Sequence, residues 1–300
     1  MKKLLGALIQ IFQHLCPLGT FPAKFKEVMT MAEQGDPDAQ WDVGFKYLIG
    51  DGVQQDYAKA KNWYEKAAAQ GHAIAQFNLG VMYDQGRGVP QDYAKAKNWY
   101  EKAAAQGHAG AQFILGMLYY LGQGVPQDYA KAKSWYEKAA AQGLAGAQFI
   151  LGMLYYLGKG VPQDYAKAKS WYEKAAVQGH ASAQFALGSM YNNGQGVQQD
   201  YAKAKGWYEK AAAQGDACAQ FALGSLYNNG RGVPQDYAKA KDWYEKAAAQ
   251  GDACAQFILG VMYENGQGVR QDLAVAKEWF DKLCDNGDQK GCDEYARLNR

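Results

Sequence analysis

The side chains of this chain that could bind a metal ion or act as nucleophiles include four histidines and five cysteines. His72, His108 and His180 occupy the same place in a repeated pattern, so whole repeats separate them. A zinc site needs its ligands within about 2 Å of one ion, and carboxylates such as Asp92 and Glu101 also recur with the repeat. The sequence contains no GxSxG, HExxH or Walker motif. We therefore predict no catalytic residues, no metal site and no cofactor.

A segment of 36 residues repeats along the chain. Its full copies begin at Gly35, Gly71, Gly107, Gly143, Gly179, Gly215 and Gly251, and a truncated eighth copy begins at Gly287. A fixed period of this length indicates one supersecondary unit stacked on itself. The net charge is only +2, with lysines and glutamates interspersed, so the basic footprint of a nucleic-acid-binding protein is absent from the sequence.

Each copy predicts two helices joined by a glycine-rich loop. In the second copy, Ala75, Leu79 and Met82 share one helical face, and Asp92 is placed to cap a second helix. Gly80 lies inside the first helix, where glycine costs about 1 kcal/mol relative to alanine. We expect this glycine to let the two helices approach, with a Trp or Tyr side chain above it. The predicted fold class is all-α, a solenoid of 36-residue helix–loop–helix repeats.

The pattern AxxxLGxxYxxGxGVPxDYxKAxxWYxKAAxQG resembles the Sel-one-like repeats, which are relatives of the tetratricopeptide repeats. The resemblance covers residues 35–286 as seven copies. It implies a right-handed α/α superhelix whose first helices line a concave surface. Members of the family act as adaptors and scaffolds, which implies a non-enzymatic protein that binds a peptide or partner protein in the concave groove. The fold alone does not identify that partner.

Positions 4, 8, 11 and 15 of the repeat vary most, counting the opening glycine as position 1. These spacings put them on one face of the first helix, which we call the variable stripe. The stripe is apolar in the third and fourth copies, and small and polar in the fifth and sixth. The residues predicted to line a partner-binding groove are Asp38, Asp42, Phe45, Asn78, Val81, Ile114, Met117, Tyr120, Leu121, Ile150, Met153, Tyr156, Leu157, Ser189, Asn193 and Asn229. The pattern equally fits side chains that pack between adjacent first helices, and the sequence leaves both interpretations open.

Cys284 and Cys292 replace an alanine and a glutamine of the repeat. Their spacing resembles that of the cysteine-rich branch of the family, and this resemblance implies a disulfide bond that staples the last, incomplete copy. A disulfide favours an oxidising compartment, so we expect a periplasmic or secreted protein, with a cytoplasmic location as the alternative. Cys218 and Cys254 lie in adjacent first helices, which pack about 8–10 Å apart. Because a disulfide needs a shorter separation, we expect both to be free thiols.

The two ends of the chain depart from the repeat. Residues 1–21 have a basic start and a short apolar run, and are interpreted as a signal-like leader or as an N-terminal capping helix. Residues 22–34 parallel the second helix of a copy and are expected to form a degenerate capping half-repeat. Residues 287–300 are expected to form a C-terminal capping helix. The apolar run is too short for an integral membrane span.

Two other functions follow only from the resemblance. One is a periplasmic cysteine-rich repeat protein that binds a β-lactam or a cell-wall ligand, although no SxxK nucleophile motif is present. The other is an immunity or regulatory protein that occludes a secreted effector.

Overall fold

The computed structural model describes residues 25–299, and within that range it contains sixteen α-helices and no β-strand. The helices are α1 (Phe25–Glu33), α2 (Pro37–Ile49), α3 (Tyr57–Ala69), α4 (Ala73–Gln85), α5 (Tyr93–Ala105), α6 (Ala109–Leu121), α7 (Tyr129–Ala141), α8 (Ala145–Leu157), α9 (Tyr165–Val177), α10 (Ala181–Asn193), α11 (Tyr201–Ala213), α12 (Ala217–Asn229), α13 (Tyr237–Ala249), α14 (Ala253–Asn265), α15 (Leu273–Asp285) and α16 (Gln289–Leu298). The predicted all-α solenoid of helix–loop–helix repeats is confirmed.

The chain divides into two compact units, Met1–Ala147 and Gln148–Arg300, whose border falls inside α8. In the first unit, α4 packs against α5 of the same repeat, and α5 packs against α6 of the next. In the second unit, α12 is packed in the same way between α11 and α13. Within each unit these repeats therefore bury their apolar faces against their neighbours, which is how a solenoid replaces a single central core.

Polar caps determine where the helices begin. His72 precedes α4, and its Nδ1 atom accepts a hydrogen bond from the backbone N–H of Ala75 at 3.1 Å. Asp92 caps α5 in the same way by accepting from the N–H of Lys95 at 2.9 Å. Both caps satisfy N–H groups that have no partner inside the helix. The predicted cap at Asp92 is confirmed, and the recurring histidines are capping residues.

Gly80 allows the two helices of a repeat to approach closely, as expected. A Cβ atom at this position would lie 2.5 Å from Cε1 of Tyr100, far inside van der Waals contact. The side chain above the glycine is thus the tyrosine, whereas Trp99 packs against a core cluster that the first and second repeats share. The same approach occurs between Gly44 and Tyr64, Gly116 and Tyr136, Gly152 and Tyr172, Gly188 and Tyr208, Gly224 and Tyr244, and Gly260 and Phe280.

Within each unit, a buried glutamine ties a repeat to the one before it. The Nε2 atom of Gln76, which is 6% exposed, donates to the backbone oxygen of Ala68 at 3.2 Å. Its Oε1 atom accepts a hydrogen bond from Gln106 at 2.8 Å. Burial of a polar side chain is tolerated when such bonds are made. Equivalent Gln–Gln bonds join Gln142 to Gln112, Gln178 to Gln148, Gln214 to Gln184 and Gln250 to Gln220.

At the N-terminal side, Val28 and Ala32 of α1 are buried together with Ala39 and Val43 of α2. The segment predicted as a leader, and residues 22–24 of the predicted half-repeat, lie outside the described residues. At the other end, Cys284 and Cys292 form a disulfide. None of the helices within residues 25–299 is long and apolar enough to cross a membrane.

Candidate partner-binding surface

The variable stripe runs along the first helix of every repeat, and its members differ widely in exposure. Exposed members of the predicted groove are Asp38, Leu121, Leu157, Asn193 and Asn229. Partly buried members are Asp42, Phe45, Val81, Met117, Tyr120, Ile150, Met153, Tyr156 and Ser189. Asn78 and Ile114 are buried, with exposed fractions of 2% and 5%.

The burial of Ile114 and Asn78 favours packing over partner contact at these two positions. Ile114 belongs to the core cluster that contains Phe77 and Leu115, because α4 and α6 approach each other there. Neither amide atom of the Asn78 side chain has a hydrogen-bond partner within the part of the chain that the structure describes. Contact with a partner at either residue would require neighbouring helices to move, so we remove both from the candidate surface.

The apolar part of the stripe is shared between core and surface. Met117 is partly buried against the cluster that contains Ile114, whereas Leu121, one turn further on, is 51% exposed. The ring of Tyr120 packs edge-on against Tyr129, with 5.2 Å between ring centroids. In the second unit, Tyr156 packs on Tyr165 in the same way, and Leu157 is 48% exposed. Each unit therefore exposes one leucine next to an ordered tyrosine.

A cavity of about 340 Å³ lies in the second unit, where the stripe is small and polar. All four stripe residues of the sixth copy line this cavity: Cys218, Ala222, Ser225 and Asn229. The third copy has Ile114 and Met117 at the positions of Ala222 and Ser225. The small side chains therefore leave open a space that larger ones fill elsewhere in the chain.

The remaining walls of the cavity include aromatic and charged side chains. They are formed by Phe185, Asn192, Tyr208, Phe221, Leu226, Arg231, Asp252 and Cys254. Sequence reasoning missed these residues for two reasons. The aromatic residues recur in every copy and were interpreted as core, and Arg231 and Asp252 lie outside the variable stripe. Variation at the position of Arg231, which is Gln195 and Gln267 in neighbouring copies, was an available signal.

Cys218 and Cys254 are free thiols, as expected, and both are exposed and line this cavity. Burial raises the pKa of the Cys218 thiol, and the carboxylates of Asp216 and Asp252 raise it further. Because the thiolate is the reactive form, Cys218 is a neutral lining group at physiological pH.

Arg231 carries the positive charge of the cavity. Its guanidinium carbon lies 5.9 Å from the ring centroid of Tyr201, and no ion pair involves Arg231 within residues 25–299. Asp252 is the cap of α14, and its Oδ1 atom accepts from the N–H of Ala255 at 2.8 Å. The described residues contain no cluster of three or more groups that could hold a metal ion.

A larger depression of about 610 Å³ lies on the outer face of α3. Its lining residues are Lys59, Asn62, Trp63, Glu65, Lys66 and Ala69. The same six residue types recur at the equivalent positions of the second copy, 95–105. Because nothing distinguishes this depression from the rest of the outer face, the cavity of the sixth copy is the better candidate site.

A family model for the Sel1 repeat matches residues 37–72, 73–108, 109–144, 145–180, 181–216, 219–252 and 255–288. Among curated proteins, none matches the chain in sequence. The structure of c5321, a protective antigen of uropathogenic Escherichia coli strains with an SLR fold, is 38% identical, with a TM-score of 0.87 over 92% of this chain. This chain spans only 59% of the length of that protein.

A Sel1 repeat protein from Oxalobacter formigenes is also 38% identical, with a TM-score of 0.77 over 91% of this chain and 79% of its own. Cysteine rich protein B from Helicobacter pylori is 28% identical over 45% of this chain and 98% of its own. Its TM-score of 0.36 is too low to carry an argument about function. The seven matched segments cover most of the residues from 37 to 288, and the chain belongs to the Sel1 repeat family.

Proposed function

We propose that the chain is a non-enzymatic adaptor that binds a peptide or a partner protein through the variable stripe. One observation carries this proposal: the residues that vary most between otherwise similar copies form the wall of a cavity in the sixth copy. Concave sites with aromatic walls and a few polar groups are typical of binding sites in proteins.

The distribution of variation supports binding over drift. Positions that hold the fold together, such as Gly80, Tyr100 and Gln76, recur from copy to copy. Ala222 and Ser225 instead create open space, which costs dispersion energy unless something occupies it. Leu121 and Leu157 expose apolar area on the same stripe of their own units. Exposed apolar area beside ordered side chains is characteristic of interaction surfaces.

No observation favours the two other functions. The hydroxyl of Ser225, the only serine of the cavity, accepts a hydrogen bond from Tyr244 at 3.3 Å. Activation of a serine nucleophile requires a base beside it, and a tyrosine that donates a hydrogen bond does not serve as one. The solved relatives with well-superposed folds are described as a protective antigen and as a Sel1 repeat protein. Neither description names a partner.

We also propose that the protein functions in the periplasm or outside the cell, because structural disulfides such as that of Cys284 and Cys292 form and persist mainly in oxidising compartments. Mass spectrometry of the non-reduced protein from its native host tests this location. We expect a disulfide-linked peptide that contains both cysteines. Two free thiols in that sample would place the protein in a reducing compartment.

The binding proposal is tested by filling the cavity with residues that the fold already accommodates. The full chain is immobilised and exposed to a pool of random octapeptides, and the retained peptides are quantified by mass spectrometry. Ala222→Ile combined with Ser225→Met copies the third repeat and should reduce retention about tenfold or more. Gly206→Ser, on the outer face of α11, copies Ser170 of the fourth repeat and should change nothing.

Thermal unfolding of both variants is compared with that of the unmodified chain to confirm that each is folded. Equal retention of the same peptides by the filled variant would show that the cavity is not the binding site. Retention of no peptide by the unmodified chain would contradict the proposed function as a whole.

A further inference from the structure

We propose that the cavity of the sixth copy binds a peptide segment in which an apolar side chain lies next to a carboxylate. The apolar side chain enters between Phe185 and Phe221, and the carboxylate pairs with Arg231. This inference rests on the proposed function, because it names the chemistry of the peptide that the variable stripe binds.

Arg231 supplies the positive charge of the proposed site. Among the arginines within residues 25–299, Arg297 bonds Glu264 at 2.6 Å and Glu294 at 2.6 Å, whereas Arg87, Arg231 and Arg270 make no ion pair. Arg231 has no such carboxylate within residues 25–299, although it lines a cavity. A guanidinium presents a rigid fork of N–H donors that matches a carboxylate in two parallel hydrogen bonds. Its free donors therefore define an anion subsite at the rim.

The aromatic walls supply the second part of the site. Phe185 packs on Tyr208 with ring centroids 5.6 Å apart, and Phe221 packs on Tyr244 at 5.5 Å. Because these contacts fix the rings, the wall does not have to be ordered when a ligand binds, and less entropy is lost. Ala222, which lines the same cavity, presents a single methyl group. An apolar side chain fits this part of the cavity better than a polar one, since it would meet few hydrogen-bonding groups there.

The negative charge of the cavity limits which anion fits. Asp252 lines the same cavity as Arg231. A phosphate group carries close to two negative charges at neutral pH, so it would be repelled more strongly than a carboxylate. A cavity lined by one arginine and one carboxylate suits a ligand with one negative charge better than a ligand with two.

The arrangement also belongs to this one copy. At the position of Arg231, the copies before and after it have Gln195 and Gln267. At the position of Ser225, the third and fourth copies have Met117 and Met153, which would occupy the cavity. The sixth copy therefore combines small stripe residues, packed aromatic walls and an arginine without an ion pair.

The experiment uses the full chain and the random octapeptide pool, with capped termini so that every negative charge comes from a side chain. We expect the retained peptides to be enriched in Asp or Glu next to Leu, Met or Phe. The most enriched peptide is then synthesised with a fluorescent label and titrated by anisotropy. Arg231→Gln, which copies Gln195 and Gln267, should weaken its binding about tenfold and reduce the salt dependence.

Arg87→Gln is the matched control, because Arg87 holds the same repeat position in the second copy, and it should leave binding unchanged. Exchanging the acid of the peptide for its amide should weaken binding to the unmodified chain about tenfold and add no further loss in the Arg231→Gln variant. If the variant with Ala222→Ile and Ser225→Met loses binding while Arg231→Gln keeps it, the carboxylate subsite is contradicted and the proposed function stands. The same holds if acidic residues are not enriched among the retained peptides. Retention of no peptide by the unmodified chain overturns both.

Discussion

The disulfide between Cys284 and Cys292 joins the same two repeat positions that a hydrogen bond joins in the preceding repeat. There the Nε2 atom of Gln256 donates to the backbone oxygen of Ala248 at 3.3 Å, and both pairs are eight residues apart in sequence. A Cβ atom at Gly291 would lie 2.8 Å from the backbone nitrogen of Cys284. The glycine thus permits the 4.5 Å separation of the two cysteine Cα atoms, and the covalent bond closes α15 onto α16 in place of the glutamine.

Removal of this bond should loosen α16. Cys292→Ser should lower the free energy of unfolding of α16 by about 2–3 kcal/mol, the chain-entropy value for so short a loop. Amide hydrogen exchange in α16 measures this free energy, because exchange reports the local opening of one helix separately from the unfolding of the rest of the repeat array. The reduced unmodified chain should match the variant, and Cys218→Ser should exchange like the oxidised unmodified chain. Equal protection of α16 in the oxidised chain and in Cys292→Ser would contradict the closure.

The approach of Gly80 to Tyr100 predicts opposite effects of one substitution at two glycines. Gly80→Ala should destabilise the chain by about 1–3 kcal/mol, because the added methyl group overlaps the tyrosine ring. Gly206→Ala, also inside a helix but with nothing within 4 Å of the added atom, should stabilise it by up to about 1 kcal/mol. Urea unfolding followed by circular dichroism measures both. A stabilising Gly80→Ala would show that the two helices are not held together at this point.

Loss of the buried glutamine bonds should be costly even without a change in volume. Gln76→Met leaves the oxygen of Ala68 and the Nε2 atom of Gln106 without the bonds that Gln76 makes. We expect a loss of about 1–3 kcal/mol in the free energy of unfolding. Gln54→Met, at an exposed loop position, should change stability by less than about 0.5 kcal/mol. Equal effects of the two substitutions in thermal unfolding would contradict a stabilising role for the buried glutamine bonds.

The histidine caps predict a loss of stability in acid. Burial lowers the pKa of His108 and His180 below the ordinary value of 6.5, and each Nδ1 atom must be unprotonated to accept its backbone N–H. The unfolded chain therefore takes up protons first, so this stabilisation is complete above about pH 6.5 and decreases as the pH falls below it. His108→Asp combined with His180→Asp, which copies the caps at Asp216 and Asp252, should flatten the decrease in melts between about pH 5 and 7.

Asp84 has the opposite effect on the pH dependence of stability, and a separate variant tests it. Burial raises its pKa to about 6, so the folded chain binds this proton more tightly than the unfolded chain. The cost of its charge is greatest above about pH 6 and is relieved as the pH falls. Asp84→Asn should raise the free energy of unfolding at pH 7 by about 1 kcal/mol, since the side chain is partly exposed. The gain should disappear near about pH 4; a gain that is independent of pH would contradict this account.

Much of the fold was predictable because each signal is local. The period, the caps such as Asp92 and the glycine inside the first helix depend on backbone geometry that a few residues determine. The choice between Trp99 and Tyr100 above Gly80 was not predictable. The two residues are adjacent, so which one faces the glycine depends on how the second helix is rotated against its neighbours.

The candidate site was predictable only in part. Position in the repeat identified Ser225 and Asn229 as surface candidates, but it also selected Ile114, which is buried. Ile114 and Met117 are three residues apart on one helix, and only the packing of α4 on α6 separates core from surface there. The walls formed by Phe185 and Phe221 could not be inferred, because whether a recurring aromatic residue lines a cavity depends on the size of its neighbours.

The most direct test of peptide binding at the sixth copy uses the two thiols of its cavity as reporters. Cys218 and Cys254 are free and exposed, so both should be alkylated by iodoacetamide, and mass spectrometry of the digested chain follows each site separately. A saturating amount of the retained peptide should slow alkylation of both thiols about tenfold or more. Bound peptide that leaves both alkylation rates unchanged would contradict binding in this cavity.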